Sequence, residues 1–376
     1  MSAPGFLPRL RALARKETRQ LLRDRSNLFV GLLLPVVLIL LFGYGLSFDV
    51  KDARIAVVMQ NNSLAAREAA MGLTGSPYLS PVWMHDMREA EAGMMAGEID
   101  AILRVPHDFL RQLALGEARV QLILNGVDST TASAIEGYVS GALSVPFAKR
   151  AERMGGTSAA RGSVVIVQRT WFNEPGESTW FLVPGLVVLI LTLIGAFLTS
   201  LLVAREWERG TLEAIFVTPV RPLELVLAKL APYMVIGAID LAMCLLAARW
   251  LFEVPMRGSL AIIIAVSLLY LLVSLSLGLL ISALARNQFA ASQIALLVSF
   301  MPALMLSGFV FDLRNVPAVI QVISQLLPAT HFMGLIKTLF MAGDYWPDIL
   351  RSSVILSLYA TVLITFTCRA LRKTMD

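Results

Sequence analysis

Long charge-free apolar runs, separated by short polar breaks, set the organisation of this chain. An apolar stretch of about 18 residues or more reads as a membrane-spanning helix. The first run occupies 28–48, with no charge between Arg25 and Asp49. A second is uncharged from Ser178 to Ala204, and a third lies between Lys229 and Arg249, broken only by Asp240. Two more, 258–285 and 287–311, are separated by Arg286 alone. The last, 352–368, is shorter but close to the lower limit for a span. The pattern predicts an α-helical integral membrane protein with six transmembrane helices, at 28–48, 179–204, 223–250, 258–285, 287–311 and 350–369.

The long polar interval 49–178 has a different rhythm. Apolar alternation predicts strands at 54–59, 79–84, 101–105, 120–124 and 164–167, the fourth closed by an Asn125-Gly126 turn. Helical spacing predicts helices at 63–72, 87–96, 108–115 and 129–154. Strands alternating with helices argue for an α/β domain inserted between the first and second spans.

Composition agrees with this division. Hydrophobic residues make up 57% of the 376 and charged residues 16%, against about a quarter charged in an ordinary globular chain. A single soluble domain and a disordered chain are excluded. The net charge of +5 is distributed by side. With residues 1–27 and the tail 370–376 placed in the cytoplasm, the cytoplasmic segments carry fifteen Lys/Arg against seven Asp/Glu, and the loop 49–178 carries twelve against fifteen. This is the positive-inside distribution, and it explains the basic balance without a nucleic-acid partner.

A basic start before an apolar run also resembles a signal peptide. This run is about twice as long as the 7–15 residues of a signal peptide, and Gly45-Leu46-Ser47-Phe48 makes a poor cleavage site, so an uncleaved anchor is expected. Within 1–27, Leu10, Leu13, Ala14, Leu21 and Leu22 interleave with arginines at near-helical spacing. That spacing predicts a basic amphipathic helix lying in the membrane interface, its apolar side in lipid.

Catalytic and metal-binding sets are missing from the pattern. Cys244 and Cys368 lie in apolar runs, and His85, His107 and His331 are far apart. The interval 49–178 has no Gly-x-Ser-x-Gly, and its Met84, Met87, Met94 and Met95 read as core filler rather than a soft-metal surface. Asp240 stands alone, since an ionisable group within a span is costly and functional by default. Two readings are open for it: a pathway residue that carries a cation or proton, or a protonated or hydrogen-bonded carboxyl at a helix or subunit interface.

The segment 205–222 reads Arg-Glu-Trp-Glu-Arg-Gly-Thr-Leu-Glu-Ala-Ile-Phe-Val-Thr-Pro-Val-Arg-Pro. Thr211 is placed to cap a short helix with Glu213 in its first turn, where the helix dipole favours a carboxylate. Thr218-Pro219 ends that helix, and Pro222 opens the next one. Trp207, Leu212, Ile215 and Phe216 supply apolar contact. The four carboxylates from Glu206 to Glu224 suit a basic protein partner better than anionic headgroups.

This segment, with Lys229, resembles the signature loop of ABC type-2 permeases, the membrane subunits of bacterial ATP-driven exporters. Trp171-Phe172-Asn173, Phe181-Leu182-Val183-Pro184-Gly185, Pro302, Ser307-Gly308-Phe309, Pro317 and Pro328 resemble the same family, so the likeness covers the whole chain. It implies that 205–222 is a coupling helix seated on a separate ATP-binding subunit, with Glu206, Trp207, Glu208, Thr211, Leu212 and Glu213 at the contact. It further implies re-entrant helices within the outer loop 312–347, a packing role for Asp240, and a bacterial inner-membrane location with 49–178 outside. ATP and Mg would be bound by the partner, and this chain would hold no cofactor. In keeping with that, none of its six lysines follows a glycine, as a P-loop requires. The expected partners are the ATP-binding subunit, a second permease copy (identical or paralogous) and membrane lipid, with a periplasmic adaptor as a further candidate. Drug-like or lipophilic cargo fits this picture. The rival functions are an ion-coupled secondary transporter working through Asp240 and a non-transporting receptor or scaffold acting through the outer domain.

Overall fold

The computed structural model describes residues 5–45, 52–60, 64–115, 119–125, 129–153, 177–216, 220–310, 313 and 316–371. The chain divides into two units, Met1–Leu46 with Glu177–Asp376, and Ser47–Gly176. Its elements in order begin with α1 (Phe6–Arg23) and α2 (Arg25–Gly45). The second unit follows as β1 (Ala53–Met59), α3 (Leu64–Thr74), β2 (Leu79–Met84), α4 (Met87–Met95), β3 (Ala101–Val105), α5 (Phe109–Leu115), β4 (Gln121–Leu124) and α6 (Ser129–Arg153).

That unit holds a four-stranded sheet in the order β2-β1-β3-β4, with β1 parallel to both β2 and β3 and β3 antiparallel to β4. Alternation along β1 sends Ile55 and Val57 to one face, where they pack with Ala70 and Leu73 of α3 and Ile135 and Val139 of α6. Ala56 and Val58 go to the other face, with Ala90 of α4 and Ile102 of β3. Burial on both faces explains why β1 and β3 read as nearly continuous apolar runs. Met84, Met87 and Met94 pack against this second face, while Met95 is 92% exposed. The strand expected at 164–167 lies outside the described residues.

The first unit resumes with α7 (Ser178–Glu208), α8 (Thr211–Phe216), α9 (Pro222–Leu246), α10 (Leu260–Ala285), α11 (Gln288–Ala295), α12 (Met301–Leu306), α13 (Ala318–Gln325), α14 (Pro328–Met341) and α15 (Trp346–Ala370). A π-helical turn, Ala247–Leu251, extends α9, and another, Leu296–Phe300, joins α11 to α12. Among the described residues, six helical stretches are long and apolar enough to cross a membrane: Asn27–Gly45, Ser178–Glu208, Pro222–Leu251, Leu260–Ala285, Gln288–Leu306 and Trp346–Ala370. Between the last two, α13 and α14 meet at 85°. The hydroxyls of Ser324 and Tyr359 fix the bend by donating to Leu306 O (2.6 Å) and Leu326 O (2.8 Å).

The central helix is α7, buried along nearly all of Leu182–Ala204. Its tightest partner is α10, and small residues make the approach possible, as is usual where lipid supplies no hydrophobic drive between helices. A Cβ on Gly195 would stand 2.7 Å from Ser274 Cβ, and one on Gly278 has no room beside Ala196 O and Thr199 Oγ1. Thr199 Oγ1 donates to Leu275 O at 2.9 Å, and Ser282 Oγ accepts from Val203 N and Ala204 N, each at 2.9 Å. Two motif segments also meet here. Gly308 turns the chain with φ +84°, and Phe309, 2% exposed, fills the space left by the missing side chain of Gly185. Lys337 holds the turn, donating to Gly308 O at 2.7 Å with its Nζ 3.5 Å from the centre of the Phe181 ring.

The two ends of the bundle differ in chemistry. At one end Phe252 covers Gly43, Gly258 N donates to Leu339 O (2.8 Å), and Ser259 N donates to Asp344 Oδ1 (2.9 Å). This gathers the end of α2, the end of α9, the start of α10 and the approach to α15. Tyr44, Trp250, Tyr345 and Trp346 are exposed there, like the aromatic belt that marks a membrane interface. The opposite end carries α1, α8 and the charged residues described next.

Candidate functional site

Gly210, with φ +66°, stops α7 and turns the chain into α8. The change of direction is needed here because α7 is continuous through Arg205, Glu206, Trp207 and Glu208. The expected coupling helix over 205–222 is therefore two elements, the last turns of α7 and a short α8. Thr211 is the first residue of α8 rather than its cap, and its hydroxyl donates back to Glu206 O at 3.4 Å. The expected stop at Thr218-Pro219 lies outside the described residues, as do the side chains of Ile215 and Phe216.

The six expected contact residues separate by burial. Glu206 is 4% exposed and Leu212 1%, so neither presents itself at the surface. Trp207 is half-buried, with the Arg286 guanidinium 4.6 Å from its ring centre. Glu208, Thr211 and Glu213 are exposed. Glu208 accepts from Gln288 N at 2.8 Å and from the Gln288 side-chain amide, which ties the end of α7 to the start of α11. The acidic surface expected from four carboxylates is thus carried by Glu208 and Glu213, because Glu206 and Glu224 both turn inward.

Glu206 belongs to a buried charge cluster. Lys229, 1% exposed at the start of α9, places Nζ 2.8 Å from Glu206 Oε2, a charge contact rather than an aligned hydrogen bond. It also donates to Glu17 Oε1 of α1 at 3.3 Å. Lys16 completes the set, donating to Glu17 Oε1 at 3.1 Å and to Glu206 Oε1 at 3.2 Å. Burial alone would lower the pKa of Lys16, but the two carboxylates beside it hold it above the ordinary lysine value.

Two further contacts fasten α1. Arg9 reaches Glu224 Oε1 at 2.9 Å, and the other oxygen of Glu224 accepts from Arg221 N at 2.9 Å in the first turn of α9. Asp24, at the corner between α1 and α2, bonds the Arg205 guanidinium, and Arg205 Nε reaches Gln288 Oε1 at 3.3 Å. Burial would raise the pKa of Asp24, but the Arg205 bond, the Asn27 amide and the charges of Arg205 and Arg209 bring it below the ordinary aspartate value.

The expected amphipathic helix is present as α1, but its inner side differs from the expectation. Leu21 (5% exposed) and Glu17 (4%) pack on protein, against α9, instead of facing lipid. Leu22 is exposed, and Arg11, Arg15, Arg19 and Arg23 are exposed at four-residue steps. The local pattern of the chain does not mark Glu17, Lys229 and Glu224 as partners of one another or of Glu206. The available signal was Glu17, an isolated acid in a strongly basic helix.

Comparison with known proteins bears on what this arrangement serves. The profile of the ABC-2 family transporter protein matches residues 25–369. The chain belongs to the ABC-2 transporter family. It is 39% identical to the probable multidrug ABC transporter permease YbhS of Escherichia coli (strain K12), covering 98% of each chain. It is 30% identical to the probable multidrug ABC transporter permease YbhR of the same organism, over 96% of this chain and 95% of that one. The linearmycin resistance permease protein LnrN of Bacillus subtilis (strain 168) is 25% identical over 97% of this chain. The protein is accordingly a multi-pass ABC-2 permease subunit, and its family implies a separate ATP-binding partner.

Within this ABC-2 bundle Asp240 is fully buried in α9, and neither carboxylate oxygen has a hydrogen-bond partner among the described residues. Of its two open readings, the helix interface fits its position, and of the two forms expected there the hydrogen-bonded one has no partner among the described residues. No group of three or more His, Cys, Asp or Glu among the described residues could hold a metal ion.

Proposed function

We propose that this permease exports a drug-like or lipophilic compound across the bacterial inner membrane, driven by an ATP-binding subunit that docks on α8 and the end of α7. The cluster of Glu206, Lys229, Glu17 and Lys16 is the observation that carries this reading. The exposed side of the α7–α8 corner offers Glu208, Thr211 and Glu213 to a partner. Directly beneath it, Glu206 is tied to the start of α9 and to α1. A push on α8 is therefore delivered to three helices at once, which suits a rearrangement of packed helices between two states. In this reading residues 1–27, 205–222 and 370–376 face the cytoplasm, and 49–178, with its α/β fold, faces outward. Two copies, identical or paralogous, enclose the path. The cargo class follows from the multidrug and linearmycin-resistance designations of YbhS and LnrN.

The test is Glu213→Lys in the permease co-expressed with its ATP-binding subunit. The variant is expected to insert and melt like the wild type but to lose co-purification of the ATPase, or its stimulation, at least tenfold. Full stimulation by the variant would overturn the docking assignment. Transport by the purified permease with no ATP-binding subunit would overturn the ATP-driven reading itself.

A further inference from the structure

Asp240 lies eleven residues beyond Lys229, about 16 Å of helix rise away from the charged end. Both of its carboxylate oxygens are buried without a hydrogen-bond partner among the described residues, and Ser267 Oγ on α10 is in the same condition. The packing of α9 on α10 puts these two residues at one level. A Cβ on Gly237 would meet the side chain of Leu271, and the two helices run in opposite directions. Asp240 is three residues past Gly237, and Ser267 is four before Leu271, so both are about one turn further from the charged end.

Among the described residues, none of the elements packed on α9 brings a counter-charge to Asp240. The elements packed on α9 are α1, α2, α7, α10, α14's neighbour α15 and the π-helical turn. None of residues 26–48, 178–204, 260–285 and 352–368 is Asp, Glu, Lys, Arg or His. The charges of α1 end at Lys229 and Glu224, and Arg249 is exposed in the π-helical turn. The remaining titratable groups are Tyr233 and Cys244 on α9, Tyr44 on α2, Tyr270 on α10, bonded to Thr192, and Tyr359 and Cys368 on α15. One turn beyond Asp240, Cys244 lines a small cavity whose other walls are Ile39, Val183, Leu186, Val187, Ile190, Ala247, Ala248 and Phe252. Such an apolar cavity offers an anion no hydration. A carboxylate in these surroundings takes up a proton rather than remain charged and bare.

We propose that Asp240 is a proton-binding site, loaded as a neutral acid while α9 is packed on α10 and emptied when those helices part and water reaches the carboxyl. The occupant is a proton and not a metal cation, because one carboxylate and one hydroxyl fall well short of a cation's oxygen shell. Low pH then favours the packed form and high pH the parted form. The unloading step rests on the ATP-driven reading above; the loaded state in this packing does not.

Infrared spectroscopy of the purified chain in lipid bilayers at pH 7 tests the loaded state. The wild type is expected to show a protonated-carboxyl C=O band that Asp240→Asn loses completely. No such band in the wild type, or an undiminished band in Asp240→Asn, overturns the proposal. Asp240→Glu keeps the acid and moves the band, and gives the same answer if the Asn variant fails to insert. In the complex with the ATP-binding subunit, trapping with vanadate and ATP is expected to reduce the band at least twofold. An unchanged band in a complex that binds and hydrolyses ATP overturns unloading. A chain that binds no ATP-binding subunit at all would instead undo the ATP-driven reading, with the band of the isolated permease unaffected.

Discussion

Lys229 and Glu206 form a buried ion pair, 2.8 Å apart, that joins the start of α9 to the last turns of α7 across the segment containing α8. Neither charge reaches water, since Lys229 is 1% exposed and Glu206 4%. Breaking such a pair from one side leaves an uncompensated buried charge, which costs about 3–5 kcal/mol.

Lys229→Met is therefore expected to be strongly destabilising, by about 3–5 kcal/mol. Adding Glu206→Gln should recover much of that loss, because the stranded carboxylate is removed. Thermal melting of the single and double variants in detergent measures the cycle, and strictly additive losses would contradict the pairing.

The corner between α1 and α2 should respond to acid. Asp24 has its pKa below the ordinary aspartate value of 3.8 when folded. A depressed folded value stabilises the native state above the unfolded pKa, and that contribution fades as pH falls through the folded one. The gap in melting temperature between wild type and Asp24→Asn should thus be constant from pH 7 to about 5 and close below about 4. A gap that widens on acidification would refute the assignment to Arg205.

Lys16 carries the opposite sign. Its raised folded pKa stabilises the docked α1 below about 10.5, the ordinary lysine value, and the benefit is lost as pH rises through the folded value. Proteolysis within residues 6–23 is expected to be slow at neutral pH and to accelerate above pH 11, with Lys16→Met fast at both.

Gly278 is predicted to tolerate no side chain. Gly278→Ala places a methyl against Ala196 O and Thr199 Oγ1, and overpacking of this kind costs about 1–3 kcal/mol. Gly141→Ala, with nothing within 4 Å of the added Cβ, is the matched control in α6. Equal melting losses for the two variants would show that the α7–α10 contact is not the constraint.

Orientation can be read by thiol labelling. Cys244 and Cys368, the two native cysteines, are first replaced. A membrane-impermeant reagent added to intact cells should then label Glu98→Cys and spare Arg15→Cys, both exposed positions. Labelling of Arg15→Cys alone would invert the proposed topology.

The sequence by itself determined the spans and the four inserted strands β1 to β4. Both follow from local pattern: a run of apolar residues about 30 Å long matches the thickness of the bilayer core, and short runs rich in β-branched residues such as 55–58 and 102–105, bounded by polar and turn residues, suit strands buried on both faces. Pro222 at the start of α9 was legible for the same reason, as it acts on its own backbone. What only the tertiary structure decided was the fate of individual charges. Glu206 and Glu213 are seven residues apart in one acidic segment, yet one is internal and the other exposed. The difference comes from Lys229 and from Glu17, distant in sequence and brought to Glu206 as α9 packs on α7 and α1 packs on α9. Asp240 follows the same rule in reverse: its position within a span was plain from the chain, but that no partner among the described residues meets it depends on which faces of α7 and α10 close around it.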